Sequence, residues 1–411
     1  MKMIKLSLQN LFFKPLNLML SLVLFSLGIG LISLLFNLNK QITSKFENNL
    51  AGIDLIIGAK GSPLQLVLNG LYHIDAPTGN IPLKDVLPFM NPKHPLIKKA
   101  VPLSLGDSYN GFRVVGTNLD FPALYKAELS NGTWWQMPMQ TVIGSTVSTI
   151  TKLKIGDTFI SSHGLTTDDF NKHDHAPFVV VGILKSTNTV CDQLILTPPE
   201  SIWQVHEHAL KKDTTDQDHD HEEDQLTDTA IEHDITTLLV QFKAKNIMTL
   251  NMQRSINQNT QLQAATPAIE INRLFSMMGI GFDALKLLAW VIAFVSGLSI
   301  FISLFNSLKE RKQELGLMRI LGATPVKLFT LILLEGIIIA CMGYIIGMFL
   351  SHFALQLSAE NIFKAYKYKI APWSFIPEEA WLLIGAISIG IIAAIIPAFQ
   401  AYRTDIAKSI K

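Results

Sequence analysis

Leu16-Asn17-Leu18-Met19-Leu20-Ser21-Leu22-Val23-Leu24-Phe25-Ser26-Leu27-Gly28-Ile29-Gly30-Leu31-Ile32-Ser33-Leu34-Leu35-Phe36 contains no charged residue and settles what kind of chain this is. A helix needs roughly 20 apolar residues to cross about 30 Å of hydrocarbon, and this run supplies them. Lys2, Lys5 and Lys14 precede it, as they would a secretory signal. A signal's apolar core is shorter and ends in small residues, whereas this run leaves through Asn37, Leu38, Asn39 and Lys40, as an uncleaved first span would. Comparable runs recur at Leu287 to Leu308, Leu328 to Leu357 and Ala380 to Ala401, after about 250 mostly polar residues. Because only helices and closed barrels satisfy their own backbone in lipid, the expected fold is a membrane protein. It has four transmembrane α-helices and a large α+β extracytoplasmic domain between spans 1 and 2.

Composition agrees with a mixed chain. Hydrophobic residues make up 49% and charged ones 16%, so neither a soluble globule nor an all-membrane channel is described. A net charge of +1 and the lack of a long basic block exclude nucleic acid as a partner. Cys191 in the polar region and Cys341 in the third apolar run cannot pair under this topology, so no disulfide is expected.

Short basic loops stay on the cytoplasmic side. Lys309, Arg311, Lys312, Arg319 and Lys327 lie between spans 2 and 3, and Arg403, Lys408 and Lys411 follow span 4. The reading is therefore a multi-pass protein of the cell (inner) membrane with both termini cytoplasmic and the large domain periplasmic or extracellular. Lys364, Lys367 and Lys369 in the opposite loop weigh against this, but an even span count outweighs them. Residues 1–39 comprise an interfacial helix and span 1. In that helix Ile4, Leu8, Leu11 and Phe12 form an apolar face that lies in the membrane interface and docks span 1 from the side.

Residues 40–286 form the extracytoplasmic domain. Strands are expected at Thr141 to Ile143, Thr158 to Ser161, Phe178 to Leu184, Gln193 to Leu196 and Thr236 to Phe242, with helices at Lys245 to Gln258 and Pro267 to Met278. Residues 206–234 turn abruptly to Asp, Glu, His, Thr and Gln and are expected to be a solvated, mobile insertion.

The most specific stretch is Leu308-Lys309-Glu310-Arg311-Lys312-Gln313-Glu314-Leu315-Gly316-Leu317-Met318-Arg319-Ile320-Leu321-Gly322-Ala323-Thr324-Pro325. Its first half reads as a charged helical extension of span 2. Gly322 ends it, and Thr324 as N-cap with Pro325 at the first position starts span 3. The product is a stiff helical elbow in the cytoplasm. Glu335 follows in span 3, where a carboxylate costs about 2.5 to 3.5 kcal/mol at mid-span. Its position early in the span favours an interfacial or interhelical structural role.

This segment resembles the permeases of the MacB/FtsX/LolC superfamily. Leu333-Leu334-Glu335-Gly336, Ile396-Pro397-Ala398 and Ala401-Tyr402-Arg403-Thr404-Asp405 are similar to the same family's spans 3 and 4. Val142-Ile143-Gly144, Lys154-Ile155-Gly156-Asp157-Thr158 and Val180-Val181-Gly182-Ile183-Leu184 resemble strands of its extracytoplasmic domain. The resemblance makes residues 287–411 an FtsX-like permease domain and implies a homodimer, or a pairing with a related second permease. It further implies that a cytoplasmic ABC ATP-binding subunit touches the elbow. Glu310, Arg311, Lys312, Glu314 and Arg319 would make polar contacts to that subunit, Leu315, Leu317, Met318 and Leu321 would insert into its groove, and Gly316 and Gly322 belong to the same coupling segment. No G-x-x-x-x-G-K-[ST] phosphate loop is present, so this chain is expected to be non-catalytic, with ATP and Mg on the partner.

Three His-x-His pairs lie among acidic residues and suit a low-affinity Zn site: His173 with His175, His206 with His208, and His219 with His221. His73 and Asp75 are a further candidate pair for substrate or metal, with a structural role as the plainer alternative. No nucleophile arrangement is legible. The expected function is export or extraction of a lipoprotein, peptide or lipid-like substrate. The alternatives are a mechanotransmitting regulator of a periplasmic or cell-wall protein and a metal-responsive (zinc) membrane receptor.

Overall fold

The structure is a computed structural model that describes residues 2–12, 15–163, 177–205, 233–366 and 370–403. The chain divides into two compact units, residues 43–276 and residues 1–42 with 277–411. The insertion at 206–234 lies outside the described residues except for its last two.

Unit 43–276 is a mixed α+β domain. Its strands are β1 (Leu55–Ala59), β2 (Ile81–Pro82), β3 (Ile97–Tyr109), β4 (Phe112–Thr117), β5 (Leu129–Gly132), β6 (Gln140–Ile143), β7 (Thr158–Phe159), β8 (Ser162–His163), β9 (Phe178–Leu184), β10 (Ile195–Thr197), β11 (Asp234–Ile235), β12 (Thr237–Phe242) and β13 (Leu262–Ala265). The main sheet runs β13-β1-β12-β3-β4-β10-β6-β9-β5. Two pairings, β4 with β10 and β6 with β9, are parallel and the rest antiparallel. Both faces of the sheet are covered, because neighbouring residues enter different cores. Ile56, Val115, Val142 and Leu239 join one core, while Leu55, Ile57, Leu238 and Val240 join a second and Val114 and Ile143 a third. The predicted strand at Gln193 begins two residues late, because Val190–Gln193 is a 3-10 turn. The Asp192 carboxylate holds the approach to that turn, accepting the Thr187 and Asn188 N–H groups at 2.7 and 2.8 Å.

His73 and Asp75 do not pair. His73 closes the helix Pro63–Tyr72 in the left-handed region, at φ +56°. Its ring lies edge-on to Phe121, and both ring nitrogens are buried without a hydrogen-bond partner. Asp75 accepts the Ala76 N–H instead. What joins the two residues is Arg113, which donates to the backbone carbonyls of both. Burial, with Arg113 adding a like charge, lowers the His73 imidazole to about 3. This is a structural cap and not a ligand set.

Among the described residues, the other unit carries four helices long and apolar enough to cross a membrane. They are span 1 (Pro15–Asn49), span 2 (Pro267–Glu310), span 3 (Pro325–Tyr366) and span 4 (Pro377–Tyr402). Spans 3 and 4 meet through small residues. Ala386, Gly390, Ala394 and Ala398, each four apart, are buried on one face of span 4. A β-carbon at Gly390 would lie 2.7 Å from Ala340 Cβ and 2.8 Å from Gly336 O, so only glycine permits the approach. Spans 1 and 3 meet the same way, where a β-carbon at Gly347 would lie 2.7 Å from Ser26 O.

The helix Lys2–Phe12 forms, and it is held by span 3 as well as span 1. Its hydrogen bonds go to span 3, from Ser7 Oγ to Leu331 O and from Asn10 Nδ2 to Glu335 Oε1. Ile4 and Phe12 stay exposed, while Leu11 of the same apolar face packs against the core that holds Leu18 and Phe25 of span 1.

Three outcomes are expected. Gly390→Val overpacks the contact of spans 3 and 4 and lowers the thermal midpoint of the detergent-solubilised chain, at a cost of about 1–3 kcal/mol. Gly385→Val, whose β-carbon meets nothing within 4 Å, leaves the midpoint in place. Because the folded pKa of His73 lies below the ordinary 6.5, its contribution is fully present above pH 6.5. It is lost as pH falls toward 3, by at most about 1.4 kcal/mol per pH unit. His73→Asn, a residue that tolerates the left-handed region, should flatten the dependence of unfolding on pH by up to one proton.

Candidate functional site

The elbow is built from a break, one short helix and a glycine stop. Span 2 ends at Glu310, and Arg311 leaves helical geometry at φ −94° and ψ 11°. Helix Lys312–Ile320 follows. The expected continuous extension of span 2 is therefore interrupted at Arg311. Gly322, at φ +94°, closes the helix, with Ala323 N–H donating to Met318 O at 2.9 Å and Gly322 N–H to Arg319 O at 3.1 Å. These two bonds make a Schellman stop, which requires a left-handed residue that glycine adopts freely. Thr324 O then accepts the first amides of span 3, which begins at Pro325.

Helical spacing divides the elbow residues into two sets. Leu315, only 2% exposed, and Met318 three residues later pack with Leu328 and Ile332 of span 3 and Ala398 and Ala401 of span 4. Gly316 is buried beside them. Leu317 at 60%, Ile320 at 54% and Leu321 at 80% exposed face the other way. Lys312, Glu314 and Gly322 are also exposed, as is Glu310, and Arg319 is half-buried with its Nε unsatisfied. The expectation that Leu315 enters a partner's groove is corrected, since it is buried in fixing the elbow to spans 3 and 4, while Met318 packs half-buried beside it. Ile320 belongs to the outward edge, and counting helical positions from Leu317 would have found it.

Arg311 is likewise turned inward. Its side chain is buried, its Nη1 lies 3.4 Å from Glu335 Oε1, and its Nε donates to Glu314 Oε2 at 3.2 Å. Glu335 is 1% exposed, and the same Oε1 accepts from Asn10 Nδ2 at 2.9 Å. One carboxylate oxygen thus joins the N-terminal helix, the break before the elbow and span 3. Charged and amide donors satisfy a group that would otherwise be costly inside a membrane.

A second buried carboxylate joins the opposite ends of the spans. Glu379 Oε1 accepts from Ser33 Oγ at 2.9 Å and Asn37 Nδ2 at 3.2 Å of span 1, and its Oε2 accepts the Ile376 N–H at 3.2 Å. From span 3, the Tyr344 hydroxyl donates to Glu379 O at 3.1 Å, and His352 Nε2 lies 3.5 Å from Oε1. Sequence reasoning missed this junction, although Ser33, Asn37 and a carboxylate at the third position of span 4 were visible signals.

The expected zinc ligands His173, His175, His206, His208, His219 and His221 lie outside the described residues, so no metal centre is assigned to them. Among the described residues no group of three or more His, Cys, Asp or Glu is placed to hold a metal ion.

Residues 286–406 match the family described as FtsX-like permease C-terminal. "ABC transporter permease YtrF" of Bacillus subtilis (strain 168) is 25% identical over 150 residues, which is 34% of either chain, so the match spans about a third of that relative. Among solved structures, the periplasmic region of MacB from Actinobacillus actinomycetemcomitans is similar at TM-score 0.33 and 10% identity, over 56% of this chain and 97% of that one. The extracellular domain of the noncanonic ABC-type transporter YknZ from Gram-positive bacteria is similar at TM-score 0.29 and 13% identity, over 52% and 99%. With four helices long and apolar enough to cross a membrane among its described residues, the chain is a multi-pass membrane protein whose residues 286–406 match the FtsX-like permease family and are of the kind found in ABC transporter permeases.

Proposed function

We propose that this permease is the non-catalytic subunit of a complex in which a separate cytoplasmic ABC subunit binds ATP and Mg and docks on the elbow. The observation that carries the reading is the outward edge Leu317, Ile320 and Leu321, held out by a helix whose opposite side is anchored on spans 3 and 4. An apolar edge flanked by Glu314 and Arg319 suits a groove with a charged rim, the arrangement that concentrates binding energy in a few buried side chains. The elbow then lies in the cytoplasm, and the domain at 43–276 lies on the other side of the membrane, periplasmic or extracellular. Two copies of the chain, or this chain and a related permease, would share the bilayer. Movement of the domain, driven by hydrolysis on the partner, would export or extract a lipoprotein, peptide or lipid-like substrate.

Affinity purification of the tagged chain from its native membrane tests this. A nucleotide-binding subunit with ATPase activity should co-purify with the wild type. Leu317→Glu and Leu321→Glu each should reduce its retention about tenfold or more, a cost above roughly 1.4 kcal/mol. The double variant Glu314→Lys/Arg319→Glu should weaken it through the rim. Absence of any ATPase from the wild-type preparation would sink the reading.

A further inference from the structure

We infer that Asn10, Arg311 and Glu335 form a coupling junction, a set of positioning residues that makes span 3 and the N-terminal helix follow the elbow when the elbow moves. The inference rests on the elbow being the docking element.

Arg311 lies where the two helices articulate. Backbone bonds continue on both sides of it, from Arg311 N–H to Ser307 O at 3.2 Å and from Leu315 N–H to Arg311 O at 3.0 Å, yet the residue itself leaves helical geometry. Such a point can flex without unravelling either helix. The guanidinium bridges the articulation, with one contact to Glu314 on the elbow and one to Glu335 on span 3. An apolar contact between helices could slide by a ridge at little cost, but a buried charge pair cannot separate without leaving both charges uncompensated in a medium that does not solvate them. Elbow rotation is therefore transmitted and not dissipated. Asn10 extends the same constraint to the N-terminal helix through the shared Glu335 oxygen, and Ser7 holds that helix one turn earlier on span 3, at Leu331 O. Glu314 is the exposed member, so its Arg311 bond is the one a docking partner can compete for while the Glu335 bond persists.

The test uses the full chain with its ATP-binding subunit in lipid nanodiscs, spin-labelled at the exposed positions Gln136 and Gln313 on a background lacking both native cysteines. In the wild type the distance between labels should change on adding ATP with vanadate. Glu335→Gln, which keeps an acceptor for Asn10 but removes the charge facing Arg311, should still retain the ATP-binding subunit and lose most of that change. Asn10→Ala, a milder cut expected to fold even where the first variant does not, should reduce the change by about half, and Arg311→Lys should restore part of what Arg311→Ala loses. An unaltered change in Glu335→Gln and Asn10→Ala overturns the junction, as does a wild-type distance that ignores nucleotide. Failure of the wild type to retain an ATP-binding subunit is a different result, since it removes the docking reading itself.

Discussion

Two carboxylates buried among helices constrain the membrane unit more than its apolar packing does. Lipid tails solvate leucine as well as another helix does, so apolar contact alone selects no particular arrangement of four spans. Glu335 and Glu379 do select one. Each is useful only where its donors converge, and those donors come from elements other than its own: Asn10 and Arg311 for one, Ser33 and Asn37 of span 1 for the other. Between these two polar ends, glycine and alanine contacts at Gly336/Gly390 and Gly347/Ser26 bring the helices close enough for the bonds to form. The small residues set the distance and the carboxylates set the register.

The elements with strong local signals were legible in the sequence. The four apolar runs fall within the four spans, β9 coincides with the expected Phe178 to Leu184, and Gly322 stops the elbow by the chemistry its position suggests. The inner strands β1, β3 and β4 and the edge strand β13 were not foreseen. In β3 the run Ile97-Lys98-Lys99-Ala100-Val101-Pro102-Leu103-Ser104-Leu105-Gly106-Asp107-Ser108-Tyr109 interrupts its β-branched residues with Pro102 and Gly106, which ordinarily argue against a central strand. Tertiary pairing to β12 and β4 overrides that local preference, and the ladder shifts register just past Leu105, beside Gly106 at φ +156°.

For the site, the sequence located the elbow and not its orientation. Charge patterning treats every Lys, Arg and Glu as solvent-facing, so it assigned Arg311 outward with Lys312 and Glu314. The missing information was the partner, Glu335, 24 residues on, whose reach depends on how the helix turns back. Likewise the leucines and methionine of the elbow look equivalent in a list. Only the spacing of Leu315 and Met318 against that of Leu317, Ile320 and Leu321 separates anchor from edge.

That separation also explains why the elbow is a helix and not a flexible loop. A loop bearing the same exposed leucines would lose conformational entropy on docking and could yield under load. Here the inward residues already hold the backbone, so the outward edge is presented preorganised. The break at Arg311 limits this rigidity to the elbow itself, because span 2 need not rotate with it as one rod. Rigid presentation on one side of Arg311 and freedom on the other are compatible only if another element takes up the displacement. Span 3 is covalently next through Gly322 and Pro325 and is ion-paired through Glu335, so it is the element tied to the elbow at two points.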